Sequence, residues 1–451
     1  MTVTTQPTFA TAVAKALRHP LCWLFDTRSA PCTSVTVAPF GLSRRSQPTT
    51  LWFPIMCRAL QVVSLTEHQD ARGATKLASS NSPKLNGKAL SSPLDVAWND
   101  PPAASDLIQE AMEWHFGPDT GSPFWLSRAK TFDFDPRKDI STVDDLRLFP
   151  NVVDELRDVR VTDLIPRGYP PEAGQPVIGE SGGTTGSPKR VIWMPETQAR
   201  ATDWHAAGLA EHGPIRPGGW LCMGPTDPHM AGTLIRDTAS RFGAVCFLLD
   251  LDPRWVKRCI ARGALEEVKL YVEHVVDQAE WILRSQEIAV LYSTPPLLEA
   301  LCERDGLVDL INERTQIIGW GGTKMDTATR NRFQNEIFPG AKLVGGYAST
   351  MIIGGMVERA GAEADAPAVF DPPAPFTVFS VVAPETGETV PYGERGQVLQ
   401  HHISRGMFLP NNLERDTAIR VPHRSSEVSD AIADVHPVEE FSGKPVIEGV
   451  Y

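Results

Sequence analysis

Residues 181–189 read Ser-Gly-Gly-Thr-Thr-Gly-Ser-Pro-Lys and lie between two apolar stretches, 176–178 and 191–193. Gly182, Gly183 and Gly186 let the backbone turn its amides inward without a side-chain clash. Ser181, Thr184, Thr185 and Ser187 add hydroxyl donors, and Lys189 adds a positive charge. That mixture suits a cradle for a polyphosphate. The spacing is not that of a Walker A loop, because no Gly-Lys-Ser or Gly-Lys-Thr follows. Composition alone leaves a flexible linker open.

Other short runs carry potential chemistry further along. Pro228, His229, Met230, Ala231 and Gly232 place an imidazole beside small residues, and Gly321, Gly322 and Thr323 carry a glycine pair, which by itself reads as a plain turn. Gly346 precedes Tyr347, Ala348, Ser349, Thr350 and Met351, and Asp416 lies in the run from Leu413 to Ile419, where by itself it reads as a surface residue. The eleven His and seven Cys show no zinc-ligand spacing, and no Gly-x-Ser-x-Gly elbow is present.

Taken in order, these runs resemble the signature elements of the adenylate-forming (ANL) superfamily, which includes acyl-CoA synthetases, aryl-acid ligases and peptide-synthetase adenylation domains. Residues 181–189 look like its phosphate loop, 228–232 its His-x-x-Gly element, and 347–351 its Tyr-Gly-x-Thr-Glu element. Gly393, Glu394, Arg395, Gly396 and Gln397 resemble its Gly-Glu-x-Gly-Glu strand entry. Phe134-Asp135-Pro136 and Asp144-Asp145-Leu146 look like the opening of phenylacetate-CoA ligase relatives, and the compact tail is similar to adenylating proteins of phenazine-antibiotic biosynthesis. The resemblance covers roughly residues 97–425.

The resemblance implies an ATP- and Mg2+-dependent ligase that activates a small, aryl acid as its acyl-AMP in secondary-metabolite biosynthesis. It assigns ATP binding to residues 181–186, Lys189, Gly321, Gly322, Thr323, Tyr347, Ala348, Ser349, Thr350 and Asp416, the last on the ribose. His229, Met230, Gly232, Gly321 and Gly346 would border the acid, and Thr185, Lys189, His229 and Thr350 would take part in catalysis. No residue is assigned to metal, because Met351 stands where the family's Glu helps to hold magnesium. Ala348 replaces the family's Gly. Only 35 residues follow Asp416, too few for the family's mobile C-terminal domain, and Lys444 in Ser442-Gly443-Lys444-Pro445 only faintly resembles the lysine of that domain. The adenylate is therefore expected to pass to a separate acceptor enzyme or carrier rather than to CoA. Two other readings stay open: activation of another oxyacid such as nitrite with an amine acceptor, and a non-catalytic protein that binds nucleotide or acid.

The elements that must hold these residues follow from hydrophobic periodicity. Short apolar runs at 244–249, 288–292, 316–320 and 342–347 read as buried strands, and residues 264–284 carry apolar positions at helical spacing. Strand–helix–strand repetition predicts a parallel α/β sheet. Ser105 is placed to cap a helix after Pro101 and Pro102, and Ser141 or Thr142 to start a short one. After residue 365 the texture turns Pro-rich, with strands expected at 376–382 and 397–402. The expected architecture is therefore the α/β fold of an ANL N-terminal domain: two packed α/β subdomains with parallel-rich sheets plus a small β-barrel-like unit. Its predicted parts are a low-structure extension over 1–92, a core over 93–365, a β unit over 366–425 and a short tail over 426–451.

Bulk properties set outer limits. A net charge of -12 argues against nucleic-acid and anionic-membrane partners, and no apolar run reaches the ~20 residues that span a bilayer. Residues 1–66 differ, with six Lys and Arg against Asp26 alone, so this segment is an extension, a transit peptide or sequence upstream of a start such as Met56. Seven cysteines without paired spacing fit a reduced, cytoplasmic protein. Oligomeric state is left open.

Overall fold

The computed structural model describes residues 92–182, 187–352, 354–362 and 365–438, together with the backbone of 440–441 and 444–445. The expectations for residues 1–91, for Gly183, Thr184, Thr185 and Gly186, and for the Lys444 side chain lie outside the described residues.

The first long helix, α1 (Ala104–Phe116), buries Leu107, Ile108, Ala111, Met112 and His115 on one face, as the spacing predicts. Its N-cap is Ala103, which makes no side-chain cap, and Ser105 lies inside the first turn. The Pro101-Pro102 pair fixes an extended entry that ends two residues earlier than the sequence reading placed it. Asp145 organises the next turn by accepting from the Ser141 and Thr142 amides at 2.9 and 2.8 Å.

A hairpin of β1 (Val177–Glu180) and β2 (Arg190–Trp193) then leads into α2 (Pro195–Ala210). The main sheet follows from β3 (Gly219–Cys222), α3 (Met230–Arg241), β4 (Cys246–Leu248), α4 (Pro253–Ala261), α5 (Leu265–Ser285), β5 (Ile288–Ser293), β6 (Ile317–Trp320), β7 (Lys342–Ala348) and β8 (Gly355–Val357). Its strand order is β4-β3-β5-β6-β7-β8, parallel except for the β7–β8 edge. Both faces of the central strands are buried, which is why β5 and β6 read as continuous apolar runs. On α5, Val268, Val275, Val276, Ala279, Ile282 and Leu283 face this core. Burying each such side chain contributes about 1.5–3 kcal/mol relative to leaving it in water.

The second sheet is antiparallel and runs β10-β11-β12-β13-β9, from β9 (Val369–Phe370) and β10 (Thr377–Val382) through β11 (Arg395–Ile403) and β12 (Phe408–Pro422) to β13 (Asp430–Pro437). The chain therefore has the expected α/β class, with one parallel-rich sheet and a separate curved β unit. Ahead of β3, the described residues form α1, α2, a series of short helices and the antiparallel β1–β2 hairpin rather than a second parallel-rich sheet. Pairing between β11 and β12 slips: Gln397 faces Thr417, yet Leu399 faces Leu413. Three residues of β12, Glu414 to Asp416, stand opposite Val398 alone and form a bulge, a device that re-aims side chains beside functional sites.

Candidate active site

One cavity of about 420 Å³ gathers residues from both sheets and from the β1–β2 hairpin. The neck of the phosphate-loop candidate is closed twice by hydrogen bonds, with Ser181 N donating to Lys189 O and Lys189 N donating to Ser181 Oγ, both at 2.9 Å. Ser181 and Lys189 are therefore held side by side. Ser181, Gly182 and Lys189 line the cavity at that neck. Lys189 Nζ is 3.4 Å from Asp154, whose side chain is 79% exposed. Such a solvent-facing pair is worth only about 0–1 kcal/mol, so the ammonium is readily surrendered to a stronger anion.

More positive charge stands around the loop than its motif supplies. Arg157 donates to the Ser187 carbonyl and lines the cavity. Lys257, buried on α4, donates to the Gly182 carbonyl at 3.3 Å, and burial, with Arg415 nearby, lowers its ammonium to about 7. Arg254 and Arg190 hold Glu180 at 3.1 and 2.9 Å.

The Glu180 amide donates to Pro228 O at 2.9 Å, which ties the hairpin to the turn before α3. His229 occupies the N-cap position of α3 without capping it through its side chain. Burial first, and Arg254 second, depress its pKa, which keeps the imidazole neutral. His229, Met230 and Ala231 line the cavity. Gly232 does not. Its amide donates to Pro225 O at 3.0 Å, and an added Cβ would lie 3.1 Å from Thr226 and 3.2 Å from Pro225 O, so the glycine serves close packing of that turn.

The bulge of β12 faces the Tyr347 segment. Tyr347 Oη donates to Asp416 Oδ2 at 3.0 Å and accepts from Gln400 Nε2 at 3.1 Å. Ser349 Oγ donates to Glu414 Oε2 at 3.1 Å. Burial, with Glu414 adding repulsion, pushes the Asp416 carboxyl up to about 6. Gly321, Gly322, Thr323, Gly346, Ala348 and Thr350 complete this side of the cavity. Met351 is buried in an apolar cluster with Trp193 and Met230, a place where a carboxylate would be costly.

The far wall is neutral. His205, Cys222, Leu234, Ile235, Tyr292 and Met356 line it, with the His205 imidazole held down to about 4 and the Cys222 thiol pushed up to about 12 by burial. Trp193 Nε1, His229 Nε2, Trp320 Nε1 and Thr323 Oγ1 are buried without a hydrogen-bond partner among the described residues. All four belong to cavity-lining residues, so a polar ligand would satisfy groups that otherwise cost about 1–3 kcal/mol each. No group of three or more His, Cys, Asp or Glu among the described residues could hold a metal ion.

The structure thus brings together every described site residue that the sequence singled out except Gly232. Sequence reasoning missed Trp193, His205, Lys257, Glu414 and Arg415. Glu414 had a signal, since it is two residues from Asp416 and a strand returns to the same side every second residue. His205 and Lys257 sit on helices outside any motif and announce nothing.

No protein-family model matches the chain, and no curated protein matches it. Its structure resembles 2-hydroxyisobutyryl-CoA ligase in complex with 2-HIB-AMP and CoA in the thioesterification state, with TM-score 0.53 and 16% identity over 74% of this chain and 67% of the ligase. The postadenylation state of that ligase with R3-HIB-AMP gives TM-score 0.52 at 15% identity, covering 74% and 66%. An open conformation with 2-HIB-AMP and CoA gives 0.50 at 15%, covering 73% and 72%. The chain spans about two thirds of the length of the first two. At this identity the likeness is one of fold.

Proposed function

We propose that this protein is an ATP-dependent, AMP-forming ligase that converts a small, aryl carboxylic acid to its acyl adenylate with release of pyrophosphate. The observation that carries the reading is the convergence of the 181–189 neck, His229, Gly321–Thr323, Tyr347–Thr350 and Asp416 on one cavity, in a fold shared with a ligase that binds an acyl-AMP.

In the proposed reaction a carboxylate oxygen of the acid attacks the α-phosphorus of ATP. The bond to the bridging oxygen breaks, and pyrophosphate departs with that electron pair. Two anions must approach, so the protein's task is positioning and charge neutralisation. Lys189 and Arg157 meet the phosphates, Thr350 donates toward the α-phosphate, and Asp416 with Tyr347 holds the ribose. The neutral wall takes the body of the acid. A wall without formal charge suits an aryl group better than nitrite, which would leave it unfilled.

Magnesium fits as an ion carried on the phosphates. Glu414, hydrogen-bonded by Ser349, and Asp416, hydrogen-bonded by Tyr347, are the carboxylates on this side of the cavity, and Met351 has no hard donor. The ion would supply further neutralisation of phosphate charge. The four described cysteines are free, in keeping with a reduced, cytoplasmic setting. A place in secondary-metabolite biosynthesis, and transfer to an acceptor other than CoA, rest on the sequence resemblance.

The test is to incubate the full chain with ATP, magnesium and pooled aryl and aliphatic acids and to look for the adenylate by mass spectrometry. An acyl-AMP is expected from an aryl pool, reduced about 100-fold or more in Lys189→Ala. ATP binding without adenylate from any pool would contradict the reading. Conversion to a CoA thioester when CoA is added would contradict the separate acceptor.

A further inference from the structure

His205 lies on α2 with its side chain against the cavity, and the phosphate chemistry above makes no use of it. Its Nδ1 is 3.0 Å from Thr238 Oγ1, and that hydroxyl is 2.7 Å from the Leu234 carbonyl oxygen. A carbonyl can only accept, so the Thr238 hydrogen points at Leu234 and a lone pair faces the imidazole. Nδ1 must therefore carry the ring hydrogen, which leaves Nε2 as an acceptor. Burial favours the neutral ring at physiological pH.

Nε2 has no hydrogen-bond partner among the described residues, and it is not sealed from the cavity. Gly355 keeps the edge of the ring open: an added Cβ there would sit 2.9 Å from Leu234 Cδ2 and 3.4 Å from His205 Cδ2. Leu234, Ile235 and Met356 on this wall carry no donor, and neither the Tyr292 hydroxyl nor the Cys222 thiol, which share the wall, hydrogen-bonds to the imidazole. An acceptor in such surroundings favours a ligand that brings its own hydrogen and penalises one that does not.

We propose that His205 Nε2 selects the acid by accepting a hydrogen bond from it, so that the substrate class is a small, otherwise uncharged acid bearing a hydroxyl or amino group. This rests on the adenylation reading above.

The experiment is ATP–pyrophosphate exchange by the full chain with acids paired by the donor alone: benzoate against the hydroxybenzoates and aminobenzoates, and isobutyrate against 2-hydroxyisobutyrate. The best donor-bearing acid is expected to exceed its parent in kcat/KM by about ten-fold or more. The hydroxy and amino arms tell which donor is meant. His205→Leu should erase the ratio. Thr238→Val removes the lone pair that fixes the tautomer, so the ring hydrogen is free to move to Nε2, and preference should pass to methoxybenzoates, which only accept. Wild-type preference for the parent acids, or discrimination that survives His205→Leu, would overturn the proposal while leaving adenylation intact. Should His205→Leu fail to fold, the wild-type pairs and Thr238→Val decide. An absence of exchange with every acid would remove the adenylation reading and this proposal with it.

Discussion

Asp416 shows how a single position links stability to nucleotide binding. It stands in the β12 bulge, receives the Tyr347 hydroxyl at 3.0 Å, and has Glu414 two residues away. Burial and Glu414 push its carboxyl up to about 6, whereas an aspartate in the unfolded chain titrates near ~3.9. Between those values the folded state keeps a proton that the unfolded state has lost. The contribution is thus fully present below about pH 4 and is lost as pH rises through 6. Raising the pH from 5 to 7 should lower the urea midpoint of the wild type relative to that of Asp416→Asn; parallel pH profiles for the two proteins would contradict this. Asp416 was legible from its order among the motifs. The setting that shifts it was legible only in part, because Glu414 stands two residues away whereas Tyr347 reaches it from a neighbouring sheet. His205 was illegible for the same reason, since its tautomer is fixed by Thr238 on another helix.

At the level of elements, the buried pair of Arg330 and Glu358 holds the Tyr347 strand in place. Arg330 Nη2 is 2.6 Å from Glu358 Oε1, with both side chains about 5% exposed or less, and Glu358 Oε2 accepts the Gly345 amide of β7 at 2.7 Å. Gly345 can have no side chain here, because a Cβ would lie 2.7 Å from that oxygen. Glu358→Ala would strand a buried guanidinium and an unpaired amide, and should cost about 3–5 kcal/mol in urea unfolding. A loss below about 1 kcal/mol, the range of an exposed pair, would show that the bridge is not what fixes β7. The strand cores were legible, with 288–292, 316–320 and 342–347 found at Ile288–Ser293, Ile317–Trp320 and Lys342–Ala348. The helix expected at 264–284 forms at Leu265–Ser285. What apolar periodicity does not encode is register, so the β11–β12 slip and the β7–β8 edge were beyond it.

Across the whole molecule, two sheets of different character meet around the cavity. The parallel-rich sheet presents Gly321–Thr323 and Tyr347–Thr350, and the antiparallel sheet presents Glu414–Asp416. A chain of net charge -12 holds a site whose loop is flanked by Lys189, Arg157 and Arg415, so cationic side chains stand where a polyanion would enter. No helix among the described residues is long and apolar enough to cross a membrane. The motifs named the residues of this arrangement, and the fold supplied the neutral wall and the extra cations that they could not. The central claim is reversible adenylation, and ATP–pyrophosphate exchange tests it most directly. Label from pyrophosphate should enter ATP only when a matching acid is present, and both Lys189→Ala and Asp416→Ala should abolish it. Label that enters without acid, or that persists in both variants, would contradict the account.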